Sequence, residues 1–288
     1  MLSRAAAAGR APEQDFVLAA VERLLRETGR DWDRCTHRMR VLAQSGGIHG
    51  IAHSWYSRRP DDPYALMLFV LSCLASGVAE QSPELTDLES LCRHSARLLP
   101  AHPGPQVALL ATLRRLRRPA HEVFEVWGEA TARDPWHREA HRQMIRYLSP
   151  DECGSAARAL DFADEVRATM PPGVPSAGLH LAALTDSYHW VLSRRGAGTP
   201  GIGQYWTAPL AQQALDEAAA KWLRPGFLSH AAGPADLNLL AYVLVQAERF
   251  DEAAEVFLTL GATVTEWPWR VRGDAVQQFA YWQDRLLT

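Results

Sequence analysis

Lysine is almost missing from this chain. Lys221 is the sole lysine among 30 lysines and arginines, so arginine carries nearly all the positive charge. A GC-rich coding bias accounts for that without any function. The functional reading is planar, two-pronged recognition of carboxylates or phosphates. Cysteine is also scarce. Cys35, Cys73, Cys92 and Cys153 stand far apart with no CxxC spacing, which excludes a zinc ribbon or a thioredoxin-type pair. Reduced thiols in a cytoplasmic protein are expected. No apolar run is long: the most apolar stretch, "YALMLFVLSCLASGVA" (64 to 79), falls short of the ~20 residues of a spanning helix. It follows "DDP", a helix start, and is expected as a helix buried on most sides, with no membrane partner. The start, "MLSRAAAAGRAPEQDF", lacks an adequate apolar core for a secretory signal; residues 1 to 12 are expected as a flexible tail. The net charge of -3 lacks the strongly basic balance of a nucleic-acid binder.

Convincing period-2 strands are absent, and nearly every segment shows a 3.6-residue apolar rhythm. Breaks such as "RRPDDP" (58), "LPAHPGP" (99), "MPPGVP" (170) and "RPG" (224) recur at short intervals. They leave roughly fourteen helices of ordinary length with short links, so neighbours should form antiparallel hairpins. The expected fold is all-α, a right-handed arc of antiparallel helix pairs in one domain over residues 13 to 288. In "DPWHREAHRQMIRYL", Asp134 is expected as the helix cap and Pro135 in the first turn.

Helix pairs of similar length raise the question of a repeat. The tetratricopeptide pattern is W-x2-L-G-x2-Y, then A-x3-F, then P, in about 34 residues. Leu237, Leu240, Ala241 and Leu244 fill its first-helix positions, and Phe250, Ala253 and Phe257 its second. Small residues at 241 and 253 let helices approach closely, while Phe257 fills the gap to the next layer. A second match runs over Val107, Leu110, Ala111, Trp127, Ala130 and Pro135. The chain therefore resembles tetratricopeptide-like α-solenoids, a likeness that implies an extended concave binding surface. The Gly-Ser, Phe-Ala and Pro-Pro-Gly spacing in 153 to 184, with "FLTLGATVTEWPW" and the final "GDAVQQFAYWQDRLL", resembles a group of uncharacterised actinobacterial helical-repeat proteins. That likeness covers mainly the second half and implies fold and source, not chemistry.

Two histidine pairs are spaced i, i+4: His49 with His53, and His137 with His141. On a helix this puts both imidazoles on one face, yet "HREAH" is neither HExxH nor HxxEH and no third ligand is spaced to complete a zinc site. No metal or cofactor is therefore expected. Asp134 with His137, and Asp186 with His189, are thin echoes of the Glu-x-x-His pairs of carboxylate-bridged metal bundles. "GAGTPG" (196 to 201) follows a helix rather than a strand, so it reads as a loop and not as a dinucleotide fingerprint. Walker A and G-x-S-x-G motifs are absent.

Arg138, Arg142 and Arg146 recur every four residues along one helix. In the repeat register Arg142 and Arg146 fall at groove positions, where guanidinium forks suit carboxylates, and "RRLRR" (114 to 118) could extend the field. Asn238 and Tyr242 take the groove positions of the C-terminal repeat. The expected function is a non-catalytic cytoplasmic module that binds a protein or peptide, through an acidic or carboxylate-bearing segment, at Arg142, Arg146, Asn238 and Tyr242. The alternative is a metal-dependent or acid–base enzyme with His137, His141, Asp186 and His189 in a pocket between helices. Ten tryptophans are expected to wedge between layers, with Trp267 and Trp269 sealing a last helix over 273 to 286. The oligomeric state is left open.

Overall fold

The computed structural model describes residues 12–45, 47–196 and 201–288. Among them there are helices and turns but no strands. The expected tail lies outside the described residues except for Pro12, which opens the first helix. Residues 197–200 of "GAGTPG" lie outside them as well. Fourteen α-helices of ten or more residues are described, with one single-turn α-helix near the end and three short 3-10 turns. The chain divides into two compact units that meet in sequence between Asp134 and Pro135.

The first unit holds α1 (Pro12–Arg26), α2 (Trp32–Gln44), α3 (Ile48–Arg58), α4 (Pro63–Ala75), α5 (Pro83–Leu98), α6 (Gly104–Arg115) and α7 (Ala120–Arg133). Helix α4 is the apolar stretch picked out above. Asp62 starts it, its Oδ1 accepting from the amides of Tyr64 and Ala65 at 3.0 and 3.4 Å. Pro63, at the first position, lacks the amide that would otherwise go unpaired. The helix packs against α2, α3, α5 and α6, and Ala65, Leu66, Met67, Leu68 and Val70 are buried all round it. Leu25, Met39 and Trp55 complete that core. Each large apolar side chain so buried stabilises the unit by about 1.5–3 kcal/mol relative to exposure. No described helix is long and apolar enough to cross a membrane.

The second unit holds α8 (Arg138–Tyr147), α9 (Ala156–Thr169), α10 (Leu179–Arg195), α11 (Pro209–Trp222), α12 (Gly233–Gln246), α13 (Phe250–Leu260), α14 (the turn Glu266–Trp269) and α15 (Ala275–Leu287). In each unit consecutive helices pair, and alternate helices also touch. α2, α4 and α6 pack side by side in the first unit; α8, α10, α12 and α14 do so in the second. Stacked helical pairs make this pattern, with one helix of each pair forming a shared inner layer.

The clearest repeat match sits on α12 and α13. Leu240, Ala241 and Leu244 are fully buried, as are Ala253 and Phe257. Phe257 lies edge-on to Phe279 of α15, with ring centroids 5.1 Å apart. Phe250 differs from its expected packing role. It is half exposed and stacks on Trp282 at 6.1 Å, because it is the first residue of its helix. Gly261 then turns the chain with φ +56, and the link 262–269, with a cis Trp267–Pro268 bond, folds back onto α12.

Candidate functional site

Helix α8 and its cap carry half of the eight candidate residues, and its start differs from the sequence expectation. Asp134 ends α7, and Pro135 and Trp136 form the turn. His137 is the cap: its Nδ1 accepts from the Ala140 amide at 3.3 Å. His141 Nε2 donates to the Pro135 carbonyl at 2.9 Å, and its ring faces Trp136 and Phe162. The i, i+4 pair thus closes a turn. In the other pair, His49 contacts Ser72 and His53 contacts Ser57. Among the described residues no three His, Cys, Asp or Glu side chains form a group able to hold a metal.

The arginine stripe of α8 divides into three situations. Arg138 forms an ion pair with Asp236 of α12, whose carboxylate is 0% exposed. Gly178 lies against that carboxylate; a Cβ there would stand 2.7 Å from Oδ1, so glycine lets the helix start approach. Arg142 is 5% exposed. Its guanidinium carbon sits 4.5 Å from the Trp267 ring centre, and Nη1 is 3.5 Å from Asp186 Oδ2 on α10. Nη1 makes no hydrogen bond. Burial lowers the Arg142 pKa to about 10, with Asp186 opposing and Arg146 and Arg138 adding to the shift; it remains a cation at neutral pH. Arg146, one turn on and half-buried, has no ion-pair partner among the described residues.

Residues from the two rival sequence readings meet here. Asp186 faces Arg142, and His189, one turn further along α10, has Nε2 3.0 Å from the Tyr242 hydroxyl of α12. The His189 ring is edge-on to Tyr242 and Trp267. Tyr188 receives a hydrogen bond from Arg272 at 3.4 Å and donates one to Gln246 at 3.2 Å. Neither His189 nor Tyr242 is tuned for proton transfer near neutrality, which needs pKa values close to the working pH. Burial, aided by Arg272 and Arg142 and opposed by Asp186, lowers His189 to about 4. Burial, aided by Tyr188, raises Tyr242 well above its ordinary range.

Asn238 has a different place. It is the chain's only asparagine and is 0% exposed. Nδ2 donates to the carbonyls of Pro234 and Thr263 at 2.9 and 3.0 Å. Oδ1 accepts from the Thr265 amide at 3.2 Å and from Trp269 Nε1 at 2.9 Å. All four of the bonds it can make at once are internal, so it pins the 263–269 link and keeps no donor for a ligand. "RRLRR" is likewise engaged: Arg115 bonds the Val78 carbonyl, Arg117 pairs with Glu80 and Arg118 with Glu89. Trp267, expected only to seal the last helix, also lies against the candidate Arg142; its signal was the proline between two tryptophans.

The buried histidines set a pH response. Burial also lowers His141 to about 4, with the Pro135 carbonyl opposing. Both histidines therefore bind protons more weakly folded than unfolded. Stability is complete above the ordinary value of 6.5 and is lost as pH falls from there through about 4. Unfolding near pH 5 should take up about one proton per histidine. Urea unfolding from pH 7 to 4.5 measures this slope, and His141→Gln should reduce the uptake near pH 5 by about one proton. A slope unaffected by that substitution contradicts the assignment. No family model and no curated protein sequence matches this chain.

Proposed function

We propose that the chain is a cytoplasmic, non-catalytic interaction module of tetratricopeptide-like architecture that binds a carboxylate-bearing peptide segment beside α8. One observation carries this reading. The buried Arg142 guanidinium is held between the Trp267 ring and Asp186, 3.5 Å from Nη1, one turn from Arg146, which has no ion-pair partner among the described residues. An arginine fixed on an aromatic face loses little further freedom when a carboxylate arrives. Charge-assisted bonds to two guanidinium groups are the strongest polar contacts available to such a ligand. The four cysteines are free thiols, three of them buried, which suits a reducing compartment.

Arg146 supplies the accessible charge and Arg142 the oriented one. Arg146→Ala should weaken binding of peptides with a free C-terminal carboxylate by about tenfold, the cost of one charge-assisted hydrogen bond. Arg142→Lys keeps the charge and loses the fork, so a comparable loss is expected. Isothermal titration of both variants against such a peptide reads the effect. Equal affinity in wild type and variants would remove these residues from the site.

A further inference from the structure

A cleft of ≈ 550 Å³ lies between α9, the start of α10, α11 and the turns that follow α9 and α11. It shares no residue with the Arg142 layer. Leu181, Ala214, Ala218, Trp222 and Phe227 supply apolar lining. The charged lining is Arg167, Lys221 and Arg224 against a single carboxylate, Glu217. Glu217 and Asp164 both pair with Arg167, each at 3.4 Å. Lys221 and Arg224 are exposed and have no side-chain partner among the described residues. Two cations therefore stand uncompensated at an apolar-lined cleft.

Two buried polar atoms of the cleft lining make no hydrogen bond to a described residue. His180 lines it at 6% exposure, and its Nε2 makes no hydrogen bond although Asp164 Oδ1 is 3.4 Å away. Arg167 Nε is unmatched too. A buried polar group without a hydrogen bond is costly, and a site whose polar groups converge on an apolar cleft is the usual form of a small-molecule pocket. Burial holds the His180 pKa below its ordinary value, against the pull of Asp164. At neutral pH the ring is uncharged, and its Nε2–H tautomer can donate.

We infer that this cleft binds a small amphipathic carboxylate, with its apolar body against Trp222 and Phe227 and its oxygens taken by Lys221, Arg224 and the inward donors His180 and Arg167. Inorganic phosphate would satisfy the cations but leave the apolar lining unused. An alcohol of the same chain length would do the reverse.

Because Lys221 is the only lysine, reductive 13C-methylation gives one side-chain signal at the cleft, with the charge retained. Titration of the full chain with octanoate should move the Lys221 resonance saturably. Octanol and inorganic phosphate should each bind at least about tenfold more weakly. Arg224→Ala, at an exposed position and checked for fold by circular dichroism, should weaken octanoate about tenfold. An unmoved Lys221 signal, equal binding of octanol or phosphate, or an Arg224→Ala variant that binds octanoate like the wild type would each overturn the proposal.

Discussion

Asp236→Ala is expected to lower the unfolding free energy by about 3–5 kcal/mol, the usual cost of removing one partner of a buried ion pair. The carboxylate is fully buried against Arg138, which is itself only 12% exposed. Burial alone would raise the Asp236 pKa, but Arg138 and His230 outweigh it and hold the group ionised below its ordinary range. Removing it takes a buried ion-pair partner from the Arg138 guanidinium, and leaves a hole where Gly178 had closed against the carboxylate. Asp236→Asn keeps the shape and should cost less. Arg138→Met combined with Asp236→Ala should recover part of the loss, because the buried pair is then removed as a unit. Urea denaturation at neutral pH is the measurement. A loss below about 1 kcal/mol would mean the pair is no stronger than a surface ion pair. The group also contributes to acid stability: its share is present above the ordinary carboxylate value and is lost as pH falls through the lowered one.

Trp269→Ala should cost about as much, 3–5 kcal/mol, by a different route. The ring is fully buried between Tyr242, Phe279 and Phe257, with centroids 5.3, 5.6 and 5.9 Å away. Its Nε1–H satisfies Asn238 Oδ1. Truncation removes the packing between α12, α13 and α15 and one of the three Asn238 bonds that anchor the link. Trp269→Phe isolates the polar part, for which about 1–3 kcal/mol is expected. Hydrogen exchange adds a local readout: α15 should lose protection in Trp269→Ala more than α8 does. Equal loss in both helices would mean that the ring supports the unit as a whole and not the seating of α15.

Much of the helical architecture was legible because its cues are local. Asp62 followed by Pro63 starts a helix whatever lies around it, and the spacing of Leu240, Ala241, Leu244, Ala253 and Phe257 marks a packed helix pair. The start of α8 was misread because two local cues competed. Asp134–Pro135 is a good cap, but the His137 ring takes the Ala140 amide three residues on. The candidate residues could be named from sequence, but which of them lie together could not. Arg142 and Asp186, or His189 and Tyr242, become neighbours only when alternate helices stack, and nothing in their spacing announces that partnership. Asn238 shows the same limit. Its register position looks like a groove contact until the link after α13 folds back over it, and the path of an irregular link follows no periodicity.

The most direct test of the interaction-module reading compares one peptide pool in two chemical forms. Acidic peptides with free C-terminal carboxylates, and the same peptides amidated, are titrated against the full chain with Trp fluorescence and calorimetry as readouts. Trp267 lies on Arg142, so binding there should change its emission. The account predicts saturable binding of the free-acid pool, an affinity loss of about tenfold or more on amidation, and weakening by added salt. Equal affinity of the two forms, or no saturable binding of either, would contradict it.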